Sequence, residues 1–343
     1  MIAEKNNFGV SVIVCTYNGA SRIRSTLEYL FRQQNIDKYS WELIVVDNNS
    51  NDNTLEVVKD ILRANEKVFN CKVLVEQKQG KNFAALCGLQ SSQFPWVLIC
   101  DDDNHLSSDY LFRGLEIIRG KVNIGALGGC GKPVFEGNTP QWFSTYAHSF
   151  AVGPQASKDG KIEKMPSELY GAGTFFRKKA LLTFYENGFN GIMSCRSGSK
   201  LSSGGDTEWC FLIQLAGYDI WYSNSLQFDH LMPANRLNWQ YYLKLKEGIT
   251  SGAAKLFSYK LFFRNRNPSF YSFFYCYLAE FLNASFLYLY FKTRKTIQPG
   301  YYSKELKELG EVVLRAKFCS YLNDFRISAS HFKQLKKTIL LIG

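Results

Sequence analysis

The sequence contains nine cysteines but no Cys-x-x-Cys pair. The cysteines therefore lack the spacing of common zinc and redox motifs. Cys15, Cys87 and Cys100 lie in apolar stretches, where a thiol serves as a small hydrophobic side chain. This usage is typical of a protein that works in a reducing compartment.

The sequence also shows neither an export signal nor internal repeats. Residues 1–8 are polar, and the apolar run from Val10 ends before Tyr17 and Asn18, so no cleavable signal is visible. We find no internal repeat and no low-complexity segment. We therefore expect a cytoplasmic location.

Charge is divided unevenly along the 343 residues, a length that suits one large α/β domain and an appendage. From His230 onward there are 18 Lys and Arg residues against 6 Asp and Glu residues, a net charge of +12. The preceding residues carry a net charge of −1. A basic, aromatic-rich last third suits anionic lipid, anionic glycan or nucleic acid, and charge alone does not choose among them.

Apolar runs alternate with helical spacings, which predicts alternating strands and helices. The predicted strands are 10–15, 41–46, 71–76, 94–100, 124–134, 169–176 and 218–228. The predicted helices are 21–34, 54–65, 82–90, 109–119, one starting at Lys178, and 206–216. The polar stretches 153–166 and 195–205 are predicted to be flexible loops. Short connections between such elements indicate a largely parallel sheet covered on both faces.

Three consecutive carboxylates, Asp101, Asp102 and Asp103, follow the apolar run 94–100. Adjacent carboxylates repel one another unless they are solvated or neutralised by a cation. Ligands of open α/β sheets bind beyond the carboxyl ends of strands, and oxygen donors suit Mg²⁺ or Mn²⁺ with substrate phosphates. The triplet therefore favours a divalent-cation site for a diphosphate. The alternative is a solvated acidic loop with a turn or cap at Asn104.

A second polar segment follows the strand 41–46. Asp47 would project from the carboxyl edge of the sheet, where a carboxylate can accept the imide N–H of a pyrimidine or guanine ring. Thr16, Tyr17 and Asn18, at the end of the first strand, would line the same base pocket. A turn with a helix cap is the other interpretation of Asp47.

Later segments carry four further candidates. Asp206 opens a helix, either as a cap or as a general base that takes the proton of an acceptor hydroxyl. His230, at the end of the next strand, is either structural or a further metal ligand. Arg236 either neutralises a diphosphate leaving group or is a surface charge. Trp142 either stacks on an acceptor sugar or is a buried structural residue.

Together these segments resemble the family 2 glycosyltransferases, which are inverting enzymes with the nucleotide-diphospho-sugar (GT-A) fold. The resemblance covers roughly residues 9 to 250. It is carried by residues 16–18, 47–50, 101–103 and 205–208, with further similarity at 170–173 and around His230. It implies an α/β GT-A fold with a mostly parallel central sheet flanked by helices. A C-terminal helical, basic and aromatic extension would follow this fold.

The resemblance also implies roles for single residues. Asp206 is expected to be the catalytic base, and Asp103 is expected to bind Mn²⁺ or Mg²⁺ together with His230. The residues expected at the donor nucleotide are Thr16, Tyr17, Asn18, Asp47, Lys81, Asp101, Asp102 and Arg236. The residues expected at the acceptor are Trp142, Gly173 and Glu208. Lys81 stands in for a frequent Arg-Asn pair of the family, and Gly205 replaces the acidic residue that usually precedes the base.

The expected activity is that of an inverting, metal-dependent hexosyltransferase. It would move a sugar from a UDP-, GDP- or dTDP-sugar to a glycan or lipid-linked acceptor in surface polysaccharide biosynthesis, with no nucleic acid as partner. The alternative is a nucleotide-sugar-binding or glycan-binding protein without transferase activity. A nucleotidyltransferase that makes sugar nucleotides would need a glycine-rich, basic loop after the first strand, and residues 16–20 are not one.

Residues 269–291 contain eleven aromatic residues and form, if helical, a nearly all-apolar helix. Basic residues precede and follow it at positions 264, 266, 292, 294 and 295. This pattern favours a membrane-surface anchor, with a buried or dimer-interface helix as the alternative, and Glu280 disfavours a span. We therefore expect a catalytic domain at 1–235, with a donor-binding half at 9–105 and an acceptor half at 106–235. The helical region 236–343 would lie peripherally on the cytoplasmic face of a membrane.

Overall fold

The computed structural model describes residues 8–65, 69–193, 201–298 and 300–342. The chain forms two compact units. The sheet unit comprises Met1–Thr183 and Trp209–Ala234, and the helical unit comprises Phe184–Glu208 and Asn235–Gly343. The expected boundary after residue 235 lies one residue from this division, which also assigns residues 184–208 to the helical unit.

The sheet unit is built on one mixed sheet, with nine strands among the described residues. The strands are β1 (Gly9–Thr16), β2 (Ser40–Asp47), β3 (Cys71–Val75), β4 (Trp96–Asp101), β5 (Asn104–Leu106), β6 (Ile124–Phe135), β7 (Gly160–Lys161), β8 (Thr174–Arg177) and β9 (Asp219–Met232). Their order is β3-β2-β1-β4-β8-β6-β9-β5, and β7 pairs with β9. The long ladders of β1 with β2 and β4, of β2 with β3, and of β6 with β9 are parallel. Since the antiparallel ladders are short, the expected mostly parallel sheet is confirmed.

Helices cover both faces of the first strands. The helices up to residue 215 are α1 (Ile23–Phe31), α2 (Thr54–Asn65), α3 (Lys81–Ser91), α4 (Tyr110–Ile118), α5 (Phe143–Tyr146), α6 (Lys178–Glu186) and α7 (Gly205–Leu215). Val12 of β1 belongs to the same buried cluster as Leu27 of α1. Ile13 points to the opposite face, where a Cβ added to Gly88 of α3 would come within 2.5 Å of it. Burial on both faces explains the continuous apolar runs.

Two strand boundaries differ from the expected ones. β8 begins at Thr174 and not at residue 169, because Gly173 has a φ of +68° and the Thr174 N–H turns back to the carbonyl oxygen of Gly171. β9 continues to Met232, so His230 lies inside the strand. This extension allows His230 to pair with a neighbouring strand.

Two short strands, β5 and β7, have no counterpart in the sequence-based prediction. β7 lies within the stretch 153–166 expected to be a loop, and Asp159 beside it accepts a hydrogen bond from the Ser223 hydroxyl (2.6 Å). The loop expected over 153–166 therefore contains a short strand. Of the loop expected at 195–205, residues 195–200 lie outside the described residues.

The helical unit contains α8 (Trp239–Thr250), α9 (Ala253–Arg264), α10 (Phe270–Ile297), α11 (Lys304–Asn323) and α12 (Phe325–Ile342). The side chains of Asn238, Ser269 and Ser303 cap α8, α10 and α11 by accepting the N–H of the third helical residue. The rings of Phe273 and Phe332, 4.7 Å apart between centroids, join α10 to α12. The expected C-terminal helical region is thus confirmed. Among the described helices, none is long and apolar enough to cross a membrane.

Candidate functional site

The carboxyl ends of the parallel strands β1, β2 and β4 meet at one edge of the sheet. In the strand register Thr16 pairs with Asp47, and Cys15 pairs with Asp101. We name the ends of these three strands and the loops that follow them the polar edge. Because ligands of such sheets bind beyond the carboxyl ends of the strands, this edge is the candidate functional site.

Hydrogen bonds tie together the loops that follow β1 and β2. The Asn18 N–H donates to the Ser50 hydroxyl (3.0 Å), and the Asn18 side-chain oxygen accepts the Asn51 N–H (2.8 Å). The Tyr17 hydroxyl lies 3.5 Å from side-chain nitrogens of Asn51 and Gln79. The structure therefore places the segment after β1 beside the segment after β2, as a shared pocket requires.

Asp47 and Asn48 organise the ends of β2 and β3. Asp47 is buried, and its carboxylate accepts the N–H (3.2 Å) and the hydroxyl of Ser50. The Asn48 side chain donates to the carbonyl oxygen of Lys78 (2.8 Å) and accepts the Gly80 N–H (2.7 Å). Gly80 has a φ of +135° and directly precedes α3. Asn48 therefore positions the start of α3, a role that its place in a polar turn does not reveal.

Lys81 and Asp101 form an ion pair at the polar edge. Lys81 is the first residue of α3, and Asp101 is the last residue of β4, where its N–H donates to the Asn104 side chain (3.1 Å). The side chains of Lys81 and Asp101 are 28% and 22% exposed. A bound polyanion can therefore reach the Lys81 ammonium from solvent.

Asp102 is buried, and its carboxylate is satisfied inside the protein. Nε of Arg22 lies 2.8 Å from one oxygen, and the Thr16 hydroxyl donates to the other (2.6 Å). Arg22 also donates to the carbonyl oxygens of Tyr17 and Asn18, each at 3.0 Å. Burial raises the pKa of Asp102, and the neighbouring Arg22 opposes that rise. Asp102 therefore fastens the loop after β1, and its contact with a nucleotide stays a prediction.

Asp103 and His230 face each other in the interior of the sheet unit. Nε2 of His230 lies 3.4 Å from Oδ1 of Asp103, and both residues are buried. The antiparallel pairing of β5 with β9 sets this contact, because Asn104 pairs with His230 and the Leu231 N–H donates to the Asp103 carbonyl oxygen (3.0 Å). Within the described chain, Nδ1 of His230 is buried without a hydrogen-bond partner.

The donor atoms of Asp103 and His230 fit a divalent cation. A carboxylate oxygen and an imidazole nitrogen 3.4 Å apart can bind one ion, because Mg²⁺ and similar cations sit about 2.1 Å from each ligand. Across the described ranges, no group of three His, Cys, Asp or Glu residues surrounds a metal position. Such an ion would therefore take its remaining ligands from water and phosphate oxygens, as Mg²⁺ usually does.

Asp206 lies in the helical unit, in the first turn of α7. It is half-exposed, and its carboxylate accepts the Thr207 N–H (3.0 Å). The position at a helix N-terminus lets the helix dipole interact favourably with a carboxylate. An accessible carboxylate is what a general base requires.

Glu208, two residues after Asp206 in the first turn of α7, is buried. Its carboxylate accepts the Tyr259 hydroxyl (2.6 Å) and the N–H groups of Ile192 (2.9 Å) and Met193 (3.4 Å). Burial raises the pKa of Glu208 to about 7, although these donors oppose the rise. In the structure Glu208 holds residues 192–193 and α9, and an acceptor-binding role stays a prediction.

The three remaining residues that were predicted to belong to the site are Trp142, Gly173 and Arg236, and each has different neighbours. Trp142 is half-buried, and its ring centre lies 6.2 Å from that of Phe143. Gly173 is buried, and a Cβ there would come within 2.6 Å of the Tyr110 hydroxyl, so packing alone requires glycine. Arg236 is half-buried in a short 3-10 turn. Contacts of these residues with a substrate stay predictions.

Comparison with protein families gives a match over half of the chain. The family described as "Glycosyl transferase family 2" matches residues 11–184. Glycosyltransferase AglE of Haloferax volcanii is 31% identical over 121 residues, which are 35% of this chain and 38% of that protein. Poly-beta-1,6-N-acetyl-D-glucosamine synthase of Staphylococcus epidermidis is 26% identical over 121 residues, 35% of this chain and 28% of that protein. The matched region spans well under half the length of both relatives.

Two solved structures share the fold. S. aureus TarS 1–349 in complex with UDP-GlcNAc gives a TM-score of 0.52 at 16% identity, covering 96% of this chain and 93% of that chain. Mannosyltransferase PcManGT from Pyrobaculum calidifontis, in complex with GDP-Man and Mn²⁺, gives 0.50 at 14% identity, covering 98% and 85%. The expected GT-A fold is therefore confirmed. With its matching family model and this fold, the chain belongs to glycosyl transferase family 2.

Proposed function

We propose that this chain is an inverting glycosyltransferase that moves a sugar from a nucleoside diphosphate sugar to a glycan or lipid-linked acceptor. The observation that carries the proposal is the buried pair of Asp103, in the loop after β4 at the polar edge, and His230. Membership of glycosyl transferase family 2 agrees with this reaction. Two proteins of similar fold bind UDP-GlcNAc and GDP-Man, which supports a UDP-, GDP- or dTDP-sugar as donor.

The polar edge would bind the nucleoside. Two hydrogen bonds from Ser50 leave lone pairs on the Asp47 carboxylate, so Asp47 can also accept an imide N–H of a base. Thr16, Tyr17 and Asn18 would border the same base. The Lys81 ammonium would turn from Asp101 to the diphosphate, and Asp101 would then accept a ribose hydroxyl.

Asp103 and His230 would hold the divalent cation, Mn²⁺ or Mg²⁺. When bound, such a cation neutralises the negative charge that develops on the departing diphosphate. The ladder between β5 and β9 and the hydrogen bond from the Leu231 N–H to Asp103 hold the two backbones side by side beforehand, so less conformational entropy is lost on binding. Arg236 would add a second positive charge beside the leaving group.

Asp206 would act as the catalytic base. Its carboxylate would take the proton of the acceptor hydroxyl while that oxygen forms a bond to the anomeric carbon. The bond from the anomeric carbon to the diphosphate oxygen breaks on the opposite face, so the configuration inverts and the electron pair leaves with the diphosphate. Trp142, Gly173 and Glu208 would lie on the acceptor side.

A nucleotidyltransferase reaction is disfavoured by the loop after β1. The Asn18 N–H already donates to Ser50 (3.0 Å). The Gly19 N–H already donates to Thr54 (2.8 Å). Because these amide groups are engaged, the loop is not preorganised to cradle a triphosphate.

The proposed setting is surface polysaccharide assembly on the cytoplasmic side of the cell envelope. A polysaccharide synthase is among the relatives, which supports this setting. The eight cysteines in the described part of the chain are free thiols, as is usual in a reducing compartment.

The test is release of nucleoside diphosphate from UDP-, GDP- and dTDP-sugars, measured with Mn²⁺ and with a chelator. Slow transfer to water makes the assay independent of the acceptor. We expect turnover of one nucleotide class, loss of turnover with the chelator, and loss in Asp206→Asn with donor binding retained. Donor binding without turnover in the presence of envelope glycan extracts would instead identify a binding protein.

A further inference from the structure

Helix α10 carries an apolar stripe on its exposed face. Its opposite face packs inside the helical unit through Phe273, Tyr277, Ala284 and Phe291. The exposed stripe consists of Tyr271, Tyr275, Leu278, Leu282, Phe286 and Leu289, which are 40–77% exposed. Because these residues recur at every third or fourth position, they form one line along the helix. The line is about 27 Å long, since a helix rises 1.5 Å per residue.

The charged side chain within this segment lies away from the stripe. Between Phe270 and Phe291 the sequence has a single charged residue, Glu280. Glu280 is half-buried and lies 3.6 Å from the Lys317 ammonium on α11. The exposed face of α10 therefore presents six apolar or aromatic side chains with no charge among them.

Basic side chains lie at both ends of the stripe. At its start, Lys333 of α12 lies 5.0 Å from the centre of the Phe270 ring. At its end, the Arg294 guanidinium lies 3.7 Å from the centre of the Tyr301 ring, and Lys292 is exposed. The apolar line is thus bounded at each end by cations.

We propose that this stripe docks α10 flat into the interface of a membrane that contains anionic lipid. A helix in this orientation places apolar side chains at the boundary between head groups and acyl chains and leaves cations at the lipid phosphates. Tyr271 and Tyr275 suit the head-group level, because a tyrosine has an apolar ring and a polar tip. Docking of this kind needs no helix that spans the bilayer.

Charge selects the membrane over a second copy of the chain as the occupant. The chain from His230 onward has a net charge of +12. A symmetric dimer through α10 would bring two such regions together, whereas an anionic bilayer complements them. The inference concerns α10 alone and does not rest on the proposed transferase reaction.

An apolar groove beside the stripe supports the same occupant. It has a volume of about 210 Å³ and is lined by Phe274, Tyr277, Leu278, Phe281, Tyr321, Leu322 and Phe325. Leu278 belongs to both the groove and the stripe. A lipid acyl chain at the interface would therefore find apolar surface on the side of α10 as well as on its outer face.

The test is co-sedimentation of the full chain with vesicles of phosphatidylcholine alone or of equal parts phosphatidylcholine and phosphatidylglycerol. We expect binding to the anionic vesicles, and a fall in the partition coefficient of about tenfold or more in Leu282→Glu and in Phe286→Glu. These side chains are 57% and 64% exposed, so the substitutions leave the packed face of α10 intact. Val122→Glu is the matched control, because Val122 is 76% exposed in the sheet unit; it should bind as the wild type does.

Three results would overturn the proposal. The first is no binding of the wild type, and the second is equal binding to neutral and anionic vesicles. The third is a dimer in light scattering that the α10 variants convert to a monomer with no change in vesicle binding, which would assign the stripe to a second copy. Donor binding measured on the same variants keeps this outcome separate from failure of the transferase proposal.

Discussion

Two buried glutamates, one in each unit, differ in how their charge is compensated. Glu42 in the sheet unit accepts hydrogen bonds from Ser11 and Gln93 and lies 2.9 Å from the Lys72 ammonium. Burial alone would raise the pKa of Glu42, but these partners lower it below its usual value. Glu208 in the helical unit has the Tyr259 hydroxyl and two backbone N–H groups as partners, and burial raises its pKa to about 7.

The neutral donors Ser11 and Gln93, with Lys72 in addition, outweigh the effect of burial on the pKa of Glu42, whereas the three neutral donors of Glu208 do not outweigh the effect of its burial. The polar edge and the exposed stripe of α10, the two proposed functional surfaces, also differ in charge. The polar edge of the sheet unit holds its carboxylates against cations such as Arg22 and Lys81. The exposed stripe of α10 carries no charge and suits a lipid surface.

The largest expected effect is the loss of catalysis, without loss of donor binding, when Asp206 is replaced. Asp206→Asn should lower turnover by about 10²–10⁴-fold, because the acceptor hydroxyl loses its base. Donor binding at the sheet unit should remain. The measurement is single-turnover release of nucleoside diphosphate alongside donor affinity by calorimetry. Thr207→Val, a neighbouring change in the same helical turn, should retain most activity, and equal loss in both variants would refute the assignment.

The next effect concerns the pH dependence of stability. Because the pKa of Glu208 in the folded protein is about 7 and that of an unfolded glutamate is about 4.5, the folded state binds more protons between these values. The free energy of unfolding should therefore fall by about 2–3 kcal/mol as pH rises from 5 to 8. Glu208→Gln should remove this decline in urea unfolding measured at several pH values, whereas the exposed control Glu305→Gln should keep it. An unchanged slope in Glu208→Gln would contradict the account.

Removal of the Lys72 ammonium should leave the Glu42 carboxylate with neutral hydrogen-bond donors alone, as the Glu208 carboxylate has. Lys72→Met should lower the free energy of unfolding by about 2 kcal/mol at pH 7, a figure reduced because Lys72 is 34% exposed. The loss should shrink at pH 4, below the usual pKa of a glutamate, because the Lys72 ammonium stabilises only the ionised Glu42 carboxylate. Urea unfolding at both pH values measures this, with the exposed Lys59→Met as control. A loss that does not depend on pH would show that Lys72 acts by packing alone.

The smallest effect comes from His331, which lies buried between Phe189 and Tyr259. Burial lowers its pKa to about 3, so below pH 6.5 the unfolded state binds a proton that the folded state does not. Stability should therefore fall as pH decreases from 6.5 toward 3. His331→Phe should raise the free energy of unfolding at about pH 5.8 by about 1 kcal/mol relative to its effect at pH 8. Equal effects at both pH values would mean that His331 is protonated in the folded state.

Much of the sheet unit could be predicted from sequence. Strands buried on both faces leave continuous apolar runs, so β1 and β2 were located to within one residue at each end. The contact of Asp103 with His230 could not be predicted. It depends on β5, a strand of three residues with no readable periodicity, pairing with a segment far along the chain.

Arg22 and Glu208 show a second limit of sequence reasoning. A charged residue near the start of a helix normally lies in solvent or interacts with the helix dipole, and both residues occupy such positions. Their actual partners, Asp102 for Arg22 and Tyr259 for Glu208, are distant in sequence. These pairings follow from tertiary packing, which single-sequence patterns do not contain.

The most direct test of the central claim is a thermal-shift measurement of UDP, GDP and dTDP, each with and without Mn²⁺, on the wild type and on Asp103→Asn. A nucleotide at about a hundred times its Kd stabilises by about 2.7 kcal/mol, which raises Tm by several degrees. We predict such a rise for one nucleotide with Mn²⁺, its loss in Asp103→Asn, and its retention in Asp109→Asn, whose carboxylate pairs with Arg113 outside the polar edge. An equal rise without Mn²⁺, or in Asp103→Asn, would contradict a metal and diphosphate site at Asp103 and His230.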